Sequence, residues 1–202
     1  SLMKKAGVKD YKNFAKEVLS IVTHKPVSFE IFADELSEME MQALEIGSWG
    51  KNVNVKIPIT NTKKQSTTPI IQKLLDNNIA CNVTAIFTID QIKKVLEVSN
   101  KKTNLILSIF SGRIADSGID PVPLCAEAVS LVKNFSNIEI LWASTREVIN
   151  IFHAENSGCN IITVPDDLLK KLSLIGKNLE DYSLETVSMF YNDAQKAGYK
   201  IF

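Results

Sequence analysis

The 202-residue sequence has few cysteines and no excess of either charge. Each of these features excludes some classes of protein. Three cysteines, Cys81, Cys125 and Cys159, are too few and too widely spaced for a disulfide framework or for paired zinc ligands, so a reducing cytoplasm is the expected compartment. The 23 basic side chains balance the 23 acidic ones. Because DNA-binding proteins usually carry a basic excess or stripe, no nucleic-acid partner is expected.

Long apolar runs and glycine-rich loops are also missing. No apolar run reaches the ~18 residues that span a bilayer, and no signal-peptide pattern is seen, so no membrane partner is expected. The 8 glycines form no Gly-x-Gly-x-x-Gly loop, which argues against a dinucleotide-binding open sheet. Because low-complexity segments and Gly/Ser linkers are lacking, we expect a single domain over residues 1–202.

What the chain does contain is a repeated alternation of short apolar strands and amphipathic helices, which is typical of parallel α/β folds. Six strands are predicted, at residues 27–32, 53–59, 81–87, 104–110, 138–143 and 160–164. Helices are predicted between them, and another precedes the first strand. Successive strands lie about one βα unit apart, as expected for neighbouring strands of a (β/α) barrel. A doubly wound open sheet is the alternative.

Polar and apolar residues alternate along these strands, so each strand divides into two faces. The second strand is the clearest case, with Asn54, Lys56 and Pro58 opposite an apolar face of Val53, Val55, Ile57 and Ile59. The same division gives matching faces in four other strands: Ser28 with Glu30, Asn82 with Thr84, Ser108 with Phe110, and Trp142 with Ser144. Because the active sites of parallel barrels form at the carboxyl ends of the strands, we expect these side chains to share one site.

Lys56 is the most informative residue on this polar face. An amine between Val55 and Ile57 loses hydration, which favours the neutral, nucleophilic form, and such lysines attack carbonyl carbons to form Schiff bases. Glu30 would lie in the same barrel mouth, where a carboxylate can move protons as the carbinolamine loses water. The spacing leaves two alternatives open: Lys56 reaches solvent at the strand end, or it only forms a salt bridge with Glu30.

Two arginines follow neighbouring strands and suit a phosphate group. Arg113 lies in the segment Ser111-Gly112-Arg113-Ile114, and Arg146 lies in Ser144-Thr145-Arg146. Each offers a guanidinium, the group best suited to bidentate phosphate binding, and Ser144 adds a hydroxyl. The alternatives are an ion pair between Arg113 and Asp116 and a helix-surface position for Arg146.

Four segments, in this order along the chain, resemble the transaldolase family: Val55-Lys56-Ile57-Pro58, Asn82-Val83-Thr84-Ala85-Ile86-Phe87, Gly112-Arg113-Ile114 and Ala143-Ser144-Thr145-Arg146. The resemblance covers the whole chain and implies a (β/α)8 TIM barrel. It also implies a transaldolase of the pentose phosphate pathway, which moves a dihydroxyacetone unit from sedoheptulose 7-phosphate or fructose 6-phosphate to an aldose phosphate. Sugar phosphates are then the partners, and neither a cofactor nor a metal is needed.

The resemblance implies a role for each candidate residue. Lys56 is the Schiff-base lysine, and Glu30 is the acid/base that positions the catalytic water with Thr84. The substrate-binding residues are Asn82 and Ser108 at the donor hydroxyls, Phe110 beside them, and Arg113, Ser144 and Arg146 at the phosphate. Glu30 and Phe110 favour transaldolase over the related fructose-6-phosphate aldolases, which tend to carry Gln and Tyr at these positions.

The resemblance also leads to expectations about both ends of the chain. The family has an Asp on its first strand and a Thr-Thr-Asn-Pro motif at its second, and residues 1–7 look like the sequence that follows this motif. The first two strands are therefore expected to be missing from the N-terminus. The apolar residues of 182–202 predict a helix that packs on another subunit in a homo-oligomer, or that closes its own barrel.

Two other functions stay open at this point. The first is an aldolase that releases free dihydroxyacetone from fructose 6-phosphate. The second is a non-catalytic sugar-phosphate-binding barrel, because the family's catalytic Asp is absent from this chain.

Overall fold

Parallel strands form the framework of the molecule, and a computed structural model describes residues 7–202 of it. The strands are β1 (Val27–Glu30), β2 (Val53–Pro58), β3 (Cys81–Ile86), β4 (Leu105–Ile109), β5 (Ile138–Trp142) and β6 (Ile161–Ile162). They form one six-stranded sheet in sequence order, and every neighbouring pair is parallel. This arrangement confirms the predicted (β/α) barrel architecture for these strands. Residues 1–6, on which the expectation of missing upstream strands largely rests, lie outside the described residues.

Helices connect the strands and follow the last one. They are α1 (Tyr11–Ile21), α2 (Leu36–Gly47), α3 (Thr68–Asp76), α4 (Ile89–Glu97), α5 (Ser111–Asp116), α6 (Pro121–Val132), α7 (Ile149–Asn156), α8 (Asp166–Leu169), a 3-10 helix (Lys170–Leu174) and α9 (Leu179–Ala197). Local sequence fixes several of their first residues. At α4, Thr88 and Gln91 form a reciprocal capping box, and at α6 the Asp120 carboxylate accepts a hydrogen bond from the Val122 amide ahead of two prolines.

The main hydrophobic core lies between the sheet and the helices that connect its strands. On β2, Val55 and Ile57 are fully buried on this face, and Leu107 of β4 lies in the same layer. The opposite face of the sheet, here called the inner face, holds only a small apolar cluster of Ile106, Leu141 and Ala143. The alternation of apolar and polar residues in the central strands therefore separates a packing face from a face that is free for chemistry.

The chain divides into two compact units, residues 1–163 and 164–202. The second contains α8, the 3-10 helix and α9. The long helix α9 begins at Asn178, whose Oδ1 accepts hydrogen bonds from the amides of Glu180 and Asp181, and it ends at Gly198 in the left-handed conformation. Among the helices of residues 7–202, none is both long enough and apolar enough to cross a membrane.

Candidate functional site

A cavity of about 380 Å³ opens on the inner face, toward the carboxyl ends of the strands. Its lining comes from the first five strands and from the segments that follow β4, β5 and β6: Ser28, Lys56, Asn82, Thr84, Ser108, Phe110, Leu141, Ala143, Ser144 and Thr163. Six of the nine predicted site residues are among them. These six, five polar side chains and Phe110, therefore share one site at the carboxyl ends of the strands, as expected.

Lys56 lies on β2 with Glu30 of β1 and Asn82 of β3 directly beside it in the register of the sheet. Because Val55 and Ile57 are buried on the opposite face, Lys56 must point to the inner face. Its Nζ lies 3.4 Å from Glu30 Oε2, and the two side chains are 29% and 48% exposed. A charge-assisted hydrogen bond is usually about 2.7–2.9 Å long. The salt-bridge alternative is therefore present as a loose contact, at the edge of the same cavity.

Glu30 is also held through its backbone. The Tyr11 hydroxyl accepts a hydrogen bond of 2.9 Å from the Glu30 amide, and its ring packs edge-on against Phe32 at 4.6 Å. Burial raises the pKa of Tyr11, so this hydroxyl stays protonated through the neutral range. Because β1 is the first strand of the sheet formed by residues 7–202, its outer amides have no strand partner there, and the Tyr11 contact gives one of them a hydrogen bond and steadies the strand that carries Glu30.

A chain of hydrogen bonds forms the floor of the cavity. Ser108 Oγ donates to Asn82 Oδ1 at 2.6 Å, and Asn82 Nδ2 donates to Ser28 Oγ at 3.0 Å. Asn82 and Ser108 are almost completely buried. Their mutual bonds fix the orientation of the Asn82 amide and pair groups that would otherwise be costly to bury. The result is a rigid polar surface that suits the hydroxyls of a sugar.

Thr84 differs from its neighbours because its hydroxyl has no hydrogen-bond partner, although the atom is buried. The residue is 2% exposed and lines the cavity. A buried hydroxyl without a partner costs about 1–3 kcal/mol. A ligand or a water molecule in the cavity that bonds to the Thr84 hydroxyl would remove this cost.

Gly112 brings the two predicted phosphate segments together. A Cβ atom on Gly112 would lie 1.6 Å from the backbone oxygen of Ser144, so only glycine permits this approach. The Gly112 amide donates to the carbonyl of Ala143 at 3.3 Å, which joins the start of α5 to the end of β5. The sequence analysis gave Gly112 no role of its own. The pattern that could have indicated this close contact is a glycine in the first turn of a predicted helix.

The two arginines lie at the rim and do not line the cavity. Arg146 Nη2 donates to Asp116 Oδ2 at 2.7 Å, and the Arg113 guanidinium lies 5.3 Å from the centre of the Phe110 ring. Asp116 therefore pairs with Arg146 and not with Arg113, which corrects that alternative. Each arginine is therefore close to a residue that lines the cavity. Arg113 lies against the Phe110 ring, and Arg146 is two residues after Ser144.

The predicted inner position of Trp142 is wrong. Trp142 pairs with Ile109, is fully buried in the core on the helix side, and lies 6.2 Å from the ring of His153 in α7. Leu141, which stands opposite Ser108, faces the cavity instead. Ser144 still reaches the cavity because its backbone is left-handed, with φ of 63°, and so departs from the alternation of the strand.

Three lining residues were not predicted: Leu141, Ala143 and Thr163. Alternation counted from Leu141 would have found the first two, and Thr163 follows a strand of only two residues that gives little periodic signal. The Thr163 carbonyl accepts a hydrogen bond of 2.6 Å from Thr145 Oγ1, which ties the segment after β6 to the segment after β5. Within residues 7–202, no group of His, Cys, Asp and Glu side chains is arranged to hold a metal ion.

The chain is similar to known proteins over most of its length. The family described as Transaldolase/Fructose-6-phosphate aldolase matches residues 3–201. A probable transaldolase of Dehalococcoides mccartyi is 31% identical, covering 85% of this chain and 76% of the relative. One of a Thermoanaerobacter species is also 31% identical, covering 100% and 87%. One of Methanococcus maripaludis is 32% identical, covering 92% and 81%.

Solved structures show a likeness in fold alone. A mandelate oxidase mutant has a TM-score of 0.52 at 13% identity, over 74% of this chain and 50% of that one. A second mandelate oxidase structure has a TM-score of 0.51 at 11% identity, over 74% and 51%. The chain thus spans about half the length of these enzymes. The family match over nearly every residue identifies the chain as a member of the transaldolase/fructose-6-phosphate aldolase family.

Proposed function

We propose that this protein is a transaldolase that moves a dihydroxyacetone unit from a ketose phosphate to an aldose phosphate through a Schiff base on Lys56. The donor is sedoheptulose 7-phosphate or fructose 6-phosphate, and the reaction belongs to the pentose phosphate pathway in the cytoplasm. The observation that carries the proposal is the position of Lys56, whose amine stands at a cavity with a polar, hydrogen-bonded floor. Membership of the family supports the same chemistry.

The first half of the reaction attaches the donor. The neutral Lys56 amine attacks the C2 carbonyl carbon, the carbonyl oxygen takes up a proton, and the carbinolamine then loses that oxygen as water to leave an iminium. Glu30, with its carboxylate 3.4 Å from the amine, supplies and removes these protons. The unpartnered hydroxyl of Thr84 binds the departing water.

The second half moves the three-carbon unit. The C4 hydroxyl loses its proton to a base, the C3–C4 bond breaks, and its electron pair passes to the iminium to give an enamine, while the aldose phosphate leaves. The enamine then attacks the carbonyl carbon of the acceptor aldose, and water releases the new ketose from Lys56. Asn82 and Ser108 hold the donor hydroxyls in line for this cleavage, because their own amide and hydroxyl are already fixed.

The phosphate of the donor would bind at the rim, where the close approach of Gly112 to Ser144 joins the segments that carry Arg113 and Arg146. Ser144 contributes a hydroxyl from the cavity wall. Arg146 approaches with its guanidinium already oriented by Asp116, and a planar guanidinium held in place binds phosphate oxygens with little further ordering. Phe110 lines the cavity next to Arg113 and offers the carbon chain an apolar surface.

Reductive trapping tests the central claim. Borohydride in the presence of fructose 6-phosphate reduces the iminium to a stable amine, and mass mapping locates the label, which we expect on Lys56. Lys56→Met should abolish the label, whereas Lys51→Met, an exposed lysine at the other end of the same strand region, should leave it unchanged. A label on another lysine would refute the role of Lys56. Phosphate-dependent binding without any label would favour a non-catalytic sugar-phosphate-binding barrel.

A fructose-6-phosphate aldolase is the closest alternative, and the family description includes it. The two activities differ in what happens to the enamine, which is protonated in the aldolase and attacks an acceptor in the transaldolase. Cleavage of fructose 6-phosphate should therefore be measured with and without erythrose 4-phosphate. We expect turnover only with the acceptor, and free dihydroxyacetone at a similar rate without it would exclude the transferase.

We further propose that the protein is a homo-oligomer. Helix α9 has no buried residue, and it exposes five large apolar side chains over two turns: Leu184, Val187, Met189, Phe190 and Tyr191. Leu184, Val187 and Tyr191 share one face of this helix, and an exposed apolar patch of this kind is typical of a protein–protein interface. Sedimentation equilibrium should give a mass above that of one chain, and Phe190→Glu should lower it. A wild-type monomer would remove this proposal and leave the catalytic one untouched.

A further inference from the structure

Strand β3 contains a β-bulge next to the cavity. Val83 pairs with Leu107 of β4, but the next pair is Ile86 with Ile109. Two residues of β3, Thr84 and Ala85, therefore stand opposite the single residue of β4 that lies between, which is the definition of a bulge. On its other side β3 is regular, because Thr84 still pairs with Pro58 of β2.

Ala85 makes this bulge by adopting a left-handed backbone, with φ of 58°. That conformation is normally taken by glycine, and in other residues it costs about 1–2 kcal/mol. Backbone strain of this kind persists only where the surrounding structure imposes it, and it is concentrated at functional sites. Ser144, which lines the cavity after the end of β5, also has a positive φ, of 63°.

The bulge decides which side chains surround Thr84. Asn82 and Thr84 both line the cavity, and in a regular strand Ile86 would be the next residue on their face. The extra residue reverses the order, so Ile86 is fully buried in the core on the helix side. The space next to the unpartnered Thr84 hydroxyl therefore stays open in place of being filled by a branched apolar side chain.

The bulge also holds the wall of the cavity. The Ile86 carbonyl accepts a hydrogen bond of 2.9 Å from the Phe110 amide, which fixes the start of α5. The Phe87 ring lies 5.8 Å from the Phe110 ring, and its amide donates to Gln91 Oε1 at 2.7 Å. The residues after the bulge thus support Phe110, which lines the cavity.

We propose that Ala85 is a positioning residue for the Schiff-base reaction, whose left-handed bulge keeps Ile86 out of the cavity and so leaves room for the donor beside Thr84 and Lys56. The proposal rests on the proposed function, since it concerns access of a sugar phosphate to Lys56. It goes beyond that function because Ala85 touches none of the reacting atoms and acts through the path of the backbone.

The test compares substitutions that keep or remove the left-handed backbone. Ala85→Gly keeps it, because glycine adopts this conformation without strain, so its melting temperature should equal or exceed that of the wild type and its trapping should be unchanged. Ala85→Val opposes it, because a branched side chain is a strong outlier at positive φ. With the strand straightened, Ile86 would enter the cavity, and the donor concentration for half-maximal trapping should rise at least about tenfold.

A double substitution separates this role from a general loss of structure. Ile86→Ala shortens the side chain that would fill the cavity, so Ala85→Val combined with Ile86→Ala should recover most of the lost trapping although it is less stable than either single variant. Should Ala85→Val fail to fold, Ala85→Leu, which is not branched at Cβ, replaces it in both measurements. Recovery by a second destabilising change is not expected for a purely structural role.

Lys64 provides the matched control. It has the same backbone conformation, with φ of 62°, and is an exposed residue of the loop after β2 that does not line the cavity. Lys64→Val should lower the melting temperature without changing the donor concentration for half-maximal trapping. Equal trapping by wild type and Ala85→Val, or a lack of recovery by Ile86→Ala, would overturn the role of the bulge alone. Absence of any label in the wild type would remove the proposed function and this role with it.

Discussion

The two faces of the sheet contrast in composition although both are buried. On the helix side, the strands present apolar residues such as Val55, Val83 and Leu107 with no exposed surface. On the inner face, the neighbouring positions carry Asn82 and Ser108, which are almost as well buried but polar. Burial of apolar surface stabilises the fold, at roughly 25 cal/mol per Å². Buried polar groups at best recover their own desolvation cost, so the inner face contributes little to stability.

The contrast indicates where selection for chemistry overrode selection for stability. Several features that work against a simple core are on or beside the inner face: a lysine on β2, the unpartnered hydroxyl of Thr84, and left-handed backbones at Ala85 and Ser144. The helix side has the buried Trp142 Nε1, which also has no hydrogen-bond partner. Departures from local rules are expected to gather at functional sites, because elsewhere they would be lost. The face that costs stability is therefore the one that holds the candidate site.

The strongest way to test the contrast is to remove packing from the helix side. Leu107→Ala deletes a fully buried side chain of β4, and we expect the free energy of unfolding to fall by about 2–5 kcal/mol. Urea denaturation measures the loss. In the fraction that stays folded, trapping at Lys56 should remain within about twofold of wild type, because additive effects are usual between well-separated groups. A loss of trapping as large as the loss of stability would mean that the two faces are not independent.

The next prediction concerns the adjacent residue on the other face. Ser108→Ala removes the donor to Asn82 Oδ1 and leaves a buried acceptor unpaired, so we expect a smaller stability loss of about 1–3 kcal/mol. Unlike Leu107→Ala, it should also raise the donor concentration needed for trapping. Ser99→Ala is the control, since the Ser99 hydroxyl bonds only to a carbonyl at the end of α4. Unchanged trapping in Ser108→Ala would remove Ser108 from the donor site.

How much of this could be predicted depends on how regular each strand is. Alternation located Lys56 and Ser108 correctly, because β2 and the body of β4 follow a period of two without interruption. It failed at Trp142, which alternation assigned to the same face as Ser144. Ser144 reaches the cavity through its left-handed backbone and not through alternation, so its position does not report the face of Trp142. The bulge at Ala85 was missed for the same physical reason.

Contacts between distant loops were beyond sequence reasoning for another reason. Arg113 and Asp116 are three residues apart, which made their ion pair a plausible local guess. The carboxylate is instead taken by Arg146, thirty positions further along the chain, because Gly112 allows the two segments to touch. A glycine in a helix signals that something lies close to it, but only the fold identifies the neighbour.

The rim of the cavity offers a third way to sharpen the contrast, with a smaller effect that is confined to binding. Arg146→Ala should weaken the binding of phosphorylated donors about tenfold, which corresponds to roughly 1.4 kcal/mol. It should change the binding of dihydroxyacetone itself very little. Competition by each compound against trapping measures both. Asp116→Asn is the matched variant, because it keeps the guanidinium and loosens only its anchor. Equal losses for both compounds would remove Arg146 from the phosphate site.

The smallest effect is expected in the chemical labelling of the thiols, which measures whether solvent reaches the helix side of the sheet. Cys81 of β3 is fully buried there, and burial raises its pKa to about 12. At pH 8 only about one Cys81 in ten thousand is then a thiolate, so iodoacetamide should leave it unlabelled in the native protein and label it completely in urea.

Raising the pH from 8 to 9 should leave Cys81 protected, because both values lie well below its raised pKa. Leu107→Ala should make Cys81 of the native protein react faster, since more frequent local unfolding opens the layer beside β3. Ser108→Ala should increase the rate of labelling by a smaller factor. Mass mapping distinguishes Cys81 from Cys159, which is only partly buried. Rapid labelling of Cys81 in the native wild type would show that the helix side admits solvent, and the contrast between a sealed packing face and an open chemical face would then be lost.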